Sequence, residues 1–289
     1  MYIDLLGKKR YKVNLHCHTT LSDGKRTPEE AAQIYLEQGY DALAITDHWR
    51  FGQSGEINGL HIISGAEYNF GLLDPCDGIY HIVGVGMKQD PAVERAEGQQ
   101  AAIDAIHRAG GVAILAHPAW SLNTPQQILG LKDLDGTEIY NSVSGVHNSR
   151  RPDSSLIVDM VACYRTYLPL LATDDTHFYD GDQCMSWIMV EADELTNEAL
   201  MEAIRARRFY ATQGPEVHLM RDGNGFRVKC TPCEEIVFLS NVVITKRAFA
   251  QKGITEAYFE PAQGERYVRA VVRDEQGRYA WSNIIAYEN

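Results

Sequence analysis

Between residues 12 and 207, short apolar runs alternate with amphipathic stretches of helical period. The runs at 13–18, 42–46, 62–66, 81–85, 112–116, 137–140, 168–173 and 187–190 are bounded by polar or turn residues and predict strands. Helix signals fall between them. Thr27-Pro28-Glu29-Glu30 sets a capping residue, a proline at the first helical position and a glutamate at the third, and Gly39 closes the stretch. Thr124-Pro125-Gln126-Gln127 repeats the device, and Gly110 and Gly111 end a helix over 101–109. Further helices are predicted over 154–165 and 197–207. Seven or eight strands alternating with helices predict a parallel α/β architecture, closed as a barrel.

After Tyr210 helical periodicity disappears. Alternating strands such as 267–272, with turns at 222–225 and 275–277, predict a small all-β, sandwich-like domain over 213–289, following a barrel over 1–212. No low-complexity linker separates them, so the two parts are expected to pack together.

Composition narrows the choices. With 289 residues the chain buries roughly three quarters of its unfolded surface, so it needs no disulfides. The charge of −12 repels phosphate backbones and anionic lipid, which argues against a nucleic-acid polymer as partner. No apolar run reaches the roughly 20 residues of a membrane helix, and the first residues do not read as a signal peptide. Six scattered cysteines fit reduced thiols in a cytoplasmic protein, with the lone Cys230/Cys233 pair expected in or beside a strand.

The candidate chemistry lies at strand ends. His16 and His18 flank Cys17, and alternation puts both imidazoles on one face. Asp23 follows in the next loop, Asp47 and His48 close the second strand, and Glu67 closes the third. His81 borders the fourth, His117 ends the fifth, and Asp174, Asp175 and His177 follow the seventh. Nearly all fall where β/α barrels build their sites. So many buried ionisable groups require a compensating charge, which divalent cations supply. Imidazole and carboxylate donors without thiolate suit Zn, Fe or Mn. So many candidate ligands are too many for one ion and enough for two or three.

Taken in order, His16-Cys17-His18 with Ser22-Asp23-Gly24, Ile45-Thr46-Asp47-His48, Gly65-Ala66-Glu67, His81-Ile82-Val83-Gly84, Ala116-His117-Pro118 and Asp175-Thr176-His177 resemble the motifs of the PHP (polymerase and histidinol phosphatase) superfamily over residues 11–212. The resemblance implies a distorted (β/α)7 barrel holding a two- or three-metal cluster that hydrolyses phosphoesters. Carried onto this chain, one ion takes His16, His18, Glu67 and Asp175. A second shares Glu67 and adds His81 and His117, and a third uses Asp23, His48 and His177. Asp23 stands where some members have histidine, as in the branch of nucleotide and oligonucleotide phosphatases. Asp47 is expected to orient His48 or a bound water. The implied nucleophile is a hydroxide shared by two ions across Glu67, which makes Glu67 and Asp47 the residues expected to serve catalysis.

A second likeness involves 208–215, 174–177 and Ala280-Trp281-Ser282-Asn283. These are similar to a PHP subgroup with a C-terminal β domain that includes carbaryl-hydrolase-like enzymes. It opens an alternative reaction on carboxylic esters, carbamates or amides. A third reading is a non-catalytic metal-stabilised module, which the complete ligand series weighs against. Substrate contacts are expected from Trp49, Arg50, Trp120, Asn141, His147 and Arg150, with a small phosphorylated compound as substrate. His147 is also a candidate acid for the leaving group, whereas His61, His107 and His218 are read as structural. The C-terminal segment can cover the barrel edge, shape the pocket mouth or pair copies into a homo-oligomer.

Overall fold

A computed structural model describes residues 1–71, 74–147, 149–243 and 248–287. The first part of the chain forms β1 (Tyr2–Ile3), β2 (Lys9–Asn14), α1 (Pro28–Glu37), β3 (Ala42–Ala44), β4 (Gly55–Ile57), β5 (Leu60–Ile63), β6 (Gly65–Phe70) and β7 (Tyr80–Val85). It continues through α2 (Gly98–Arg108), β8 (Val112–Leu115), α3 (Pro125–Leu129), β9 (Gly136–Asn141), α4 (Ser142–Val146), α5 (Ser155–Ala162), β10 (Leu170–Thr173), β11 (Trp187–Glu191), α6 (Asn197–Arg205) and β12 (Phe209–Thr212). Both capping boxes form: Thr27 accepts from Glu30 N at the start of α1, and Thr124 accepts from Gln127 N at the start of α3. Helix α1 turns Ala31, Ala32 and Tyr35 inward, the spacing of one helical face.

The strands fall into two sheets. One runs β4-β5-β3-β2-β11-β12 and onward into the C-terminal strands; the other is β6-β7-β8-β9-β10. The parallel architecture expected from the alternation is only partly realised. Strands β2, β3 and β5 pair parallel, as do β8, β9 and β10, but β6-β7, β7-β8, β2-β11 and β11-β12 are antiparallel. The reason is plainest at β6-β7, whose connection is too short for the crossover of a dozen or more residues that a parallel pair needs. Single parallel bridges, Cys17↔Thr176 and His48↔Glu67, join the two sheets at their seams. Beneath those seams lies an apolar core of Val13, Leu15, Ala44, Ile63, Val83, Ile114, Ile139 and Leu171, with Leu200 and Ile204 of α6 packed into it.

The C-terminal strands β13 (Val217–Asp222), β14 (Gly225–Leu239), β15 (Ala248–Phe259), β16 (Tyr267–Arg273), β17 (Tyr279–Trp281) and β18 (Ile285–Ala286) pair antiparallel. The hairpin β13-β14 turns at Gly223-Asn224, where Gly223 has φ +58° and a side chain would be strained. These strands have their own core, including Val217, Phe226, Val228, Ile236, Phe238 and Val272. They are not a separate sheet, because β12 pairs with β17 through Ala211↔Trp281 and Thr212↔Ala280. Buried Arg269 adds a second tie, donating from Nε and Nη2 to Asp159 of α5 at 2.7 Å each. Cys230 and Cys233 are buried thiols on β14. Among the described residues, no helix is long and apolar enough to cross a membrane.

Candidate metal centre

The strand ends of both sheets converge on one place. His16 and His18 leave β2, His48 follows β3, Glu67 lies in β6, His81 in β7, His117 follows β8, and Asp175 and His177 follow β10. Three groups of ligand atoms result: His16, His18, Glu67 and Asp175; Glu67, His81 and His117; and His18, Asp23, His48 and His177. All nine sequence-derived ligand candidates are therefore brought together, with Glu67 common to two groups and His18 to two. Backbone strain marks the site as well. His117 has φ +28° and Asp175 φ +53°, a region that non-glycine residues enter only under constraint.

The first group is the tightest. His16 Nε2 lies 3.2 Å from Glu67 Oε2, 3.0 Å from Asp175 Oδ1 and 3.2 Å from His18 Nε2. His18 Nε2 lies 3.0 and 3.1 Å from the same two carboxylate oxygens. In the second group Glu67 Oε1 is 2.8 Å from His81 Nδ1 and 3.5 Å from His117 Nε2. The third is looser and nearer solvent: Asp23 Oδ2 stands 3.5 Å from His177 Nε2 and 3.8 Å from His48 Nε2, and the Asp23 side chain is 54% exposed.

Whether these residues suit cations can be judged from the molecule. Glu67 Oε2 and Asp175 Oδ1 are fully buried and accept no hydrogen bond. An unpaired buried carboxylate oxygen is expensive, and here two face the same point. Four donors held at 2.0–2.1 Å around a tetrahedral ion stand about 3.3 Å apart, close to the 3.0–3.2 Å separations found. The donor set fits a divalent cation. A contrast lies elsewhere in the fold, where Asp4, Glu216 and His218 also converge. There Arg10 Nε donates to Asp4 at 2.5 Å, and Leu5 N, Tyr2 Oη and His218 occupy Glu216. A guanidinium already fills the role of the cation, and that cluster is structural.

The charges within the main cluster perturb one another. Burial would favour neutral Glu67 and Asp175, but the surrounding imidazoles, His16 foremost, outweigh it and hold both carboxyls well below the usual range. Burial likewise opposes charge on His16, yet Asp175, Glu67 and Glu138 raise its pKa well above normal. His177 behaves similarly; Asp175 and Asp23 overcome its burial and lift it to about 9. His48 lacks enough such compensation, so burial lowers it.

The expected supporting residues fare unevenly. Asp47 does not orient His48. Its Oδ1 accepts from Thr19 N at 2.8 Å and Ser22 Oγ at 2.6 Å, and its Oδ2 from Thr19 Oγ1 at 2.6 Å. These bonds all go to the 19–22 loop and none to the His48 ring, so Asp47 fixes the loop that presents Asp23. Trp120 lines the site cavity, edge-on to His81 and His117 with centroids 5.5 and 4.9 Å away. Asn141 is buried and donates to Glu138 Oε2 at 2.8 Å and Asp175 Oδ2 at 3.2 Å, so it braces the cluster from behind. Trp49 turns away, packing on Tyr68 and Phe70 under Arg95 with its indole N–H on Asn69. Arg50 and Arg150 are exposed and do not line the cavity, and His147 binds Asp180 O while stacking on Phe178.

Sequence reasoning missed several participants. Phe178 and Ser144 line the cavity, whose volume is about 260 Å³. Asp182 accepts from the amides of His177 and Phe178, both at 2.8 Å, and so sets the loop carrying the last ligand. Asp174, named from the sequence but given no role there, is fully buried, and burial raises it to about 6 despite donors that include Asn14, Tyr35, Ser142 and the amides of Cys184, Met185 and Ser186. Glu138, also buried, stands behind His16 at 2.7 Å from Nδ1 and accepts from His117 N at 2.8 Å. An acid inside the otherwise buried strand Gly136–Asn141 was the available signal.

With this geometry described, likenesses to known proteins can be placed. Residues 14–141 match the PHP domain, a span that takes in seven of the nine ligand candidates and stops short of Asp175 and His177. An error-prone DNA polymerase of Cutibacterium acnes is 36% identical over 78 residues, which are 24% of this chain and 7% of the polymerase; the chain spans only a small part of that protein. A two-domain protein of Bacteroides vulgatus, described as containing a predicted PHP-like metal-dependent phosphoesterase, superposes with a TM-score of 0.58 at 16% identity, over 99% of this chain and 97% of that one. A candidate metal-dependent phosphoesterase of Bifidobacterium adolescentis gives a TM-score of 0.40 at 16% identity, over 67% and 94% of the two chains. The chain is thus similar to the PHP domain over residues 14–141, on a fold shared along nearly its whole length with the Bacteroides protein.

Proposed function

We propose that the protein is a metal-dependent hydrolase that cleaves a phosphoester bond in a small phosphorylated compound. The observation that carries this reading is the overlap of three ligand groups, through Glu67 and His18, around one cavity of about 260 Å³. Two or three divalent cations, Zn, Fe or Mn, fit the donors. Bound there, they would supply activated water and Lewis-acid stabilisation of a phosphoryl group. The remaining work belongs to the chain. Glu67 divides its two oxygens between the first and second groups and so fixes their spacing. Asp23 and His177 hold the solvent side of the cavity, while Trp120 and Phe178 give it aromatic walls that exclude water around a bound organic group.

The cavity is small for a polymer and suits a compact substrate. Among the described residues no lysine or arginine lines it, so the charge that meets a phosphate is left to the cations. The fold shared with the Bacteroides protein, described as containing a predicted PHP-like metal-dependent phosphoesterase, supports the reaction class. We take the two sheets together as a distorted (β/α)7 barrel over 1–212 that carries this chemistry, and 213–289 as a supporting β domain.

The test is elemental analysis of the purified protein, followed by assays with added Mn or Zn on aryl phosphates, nucleotides, carboxylic esters and carbamates. Metal-dependent turnover of the phosphoesters is expected. Turnover confined to the carbon esters or carbamates would overturn the phosphoesterase reading, and metal-loaded protein inert on the whole panel would point to a structural module.

A further inference from the structure

We infer that Glu138 is a positioning residue that sets the tautomer of His16, forcing its Nε2 to be the metal-facing atom; this rests on the metal-dependent reading above. Four donors surround the carboxylate. His16 Nδ1 and Thr173 Oγ1 meet Oε1 at 2.7 Å each, while His117 N and Asn141 Nδ2 meet Oε2 at 2.8 Å each. Glu138 is buried, so it has no water to fall back on. It thereby touches three ligands at once: the ring of His16, the backbone of His117 and, through Asn141, the carboxylate of Asp175.

The Oε2 side of the carboxylate takes only an acceptor. The His117 N–H is backbone and has no alternative role. Asn141 is unable to turn its oxygen inward, because its Oδ1 already accepts from Ser144 N at 3.2 Å and Ser144 Oγ at 2.7 Å. Oε2 must therefore be an oxygen without a proton. On the other side Thr173 can rotate its hydroxyl, which leaves His16 as the group whose hydrogen position depends on Glu138. A carboxylate there demands Nδ1–H, and a neutral imidazole with Nδ1–H presents a lone pair at Nε2. That atom is the one 3.0–3.2 Å from Glu67, Asp175 and His18.

Glu138→Gln tests this with almost no change of shape. The amide oxygen must face His117 N and Asn141, so the NH2 faces His16 and Thr173. His16 Nδ1 then has to accept, which moves its proton to Nε2 and points it at the ligand cluster. Zn2+ would be titrated into metal-stripped wild type, Glu138→Gln and Thr173→Val. The His16 ring tautomer would be read by long-range 1H–15N NMR at a pH high enough for the metal-free ring to be neutral, and folding by circular dichroism. Zn2+ affinity in Glu138→Gln should fall about 10–100-fold, with an Nε2–H signal for His16. Thr173→Val, which removes a donor from the same oxygen but leaves the tautomer constraint intact, should stay within about threefold of wild type.

Equal Zn2+ binding by wild type and Glu138→Gln, or an equal loss in Thr173→Val, would overturn the inference while leaving the metal-dependent reading standing. Wild type that takes up no Zn2+ would overturn both. Should Glu138→Gln fail to fold, the loaded wild type still decides: a His16 ring metallated through Nδ1 refutes the assignment.

Discussion

Glu67 is the residue whose removal separates the overlapping-group reading from a set of independent sites. Its Oε2 belongs with His16, His18 and Asp175, and its Oε1 with His81 and His117. Asp23, by contrast, enters one group only and is half exposed. Losing a partner that merely supports a ligand costs about 10–100-fold in metal affinity, so losing a ligand should cost at least about 100-fold, or about 2.7 kcal/mol, per ion. For Glu67→Ala that loss falls on two ions, and for Asp23→Ala on one. At free metal ten times the wild-type Kd, a 100-fold loss lowers occupancy of an affected position from about 0.9 to about 0.1. Metal content measured by mass spectrometry at fixed free Zn2+ should therefore drop by about 1.6 ions per chain in Glu67→Ala and by about 0.8 in Asp23→Ala. Circular dichroism would confirm that both variants fold. Equal losses, or a greater loss in Asp23→Ala, would refute the shared role of Glu67.

Other outcomes follow from the same structure. Chelation should lower the melting temperature, since metal at 100 times its Kd stabilises the fold by about 2.7 kcal/mol; an unchanged melt in excess chelator would contradict a cation-filled cluster. In the metal-free protein His177 is raised from 6.5 to about 9, so its charged form contributes stability that is complete below pH 6.5 and lost as pH rises through about 9. A cation must displace that proton, and calorimetry in two buffers of different ionisation enthalpy should show proton release on Zn2+ binding near pH 7.5 that fades above pH 9; no release would be inconsistent with His177 as a ligand. Gly24→Ala should disturb the Asp23 loop, because a Cβ at Gly24 would lie 2.4 Å from the backbone of His18. Its measurable sign is loss of the outermost metal with a folded protein, and full metal content would count against it. Arg269→Ala removes a fully buried guanidinium from Asp159 and should cost about 3 kcal/mol in a denaturant titration; a loss under about 1 kcal/mol would mean that the C-terminal strands do not depend on this tie.

The sequence by itself determined a good deal. Capping boxes at Thr27 and Thr124, the strand–helix alternation and the loss of helical period after Tyr210 are local properties, set by backbone geometry and by which face of an element is apolar. The ligand residues were legible for a related reason: histidines and acids at the ends of buried strands have few uses other than chemistry. Only the tertiary structure decided the rest. Periodicity reports which face is buried but not against what, so it left open the antiparallel pairing of β6 and β7 and the seams at Cys17↔Thr176 and His48↔Glu67. It likewise left Asp47 free to serve His48, when Thr19 and Ser22 had claimed it, and Trp49 free to face the site, when Tyr68 and Phe70 hold it. Glu138 was hidden because its partner His16 is 122 residues away in the chain. A hydrogen bond across that separation exists only once the strands are laid side by side, and no local pattern of residues encodes it.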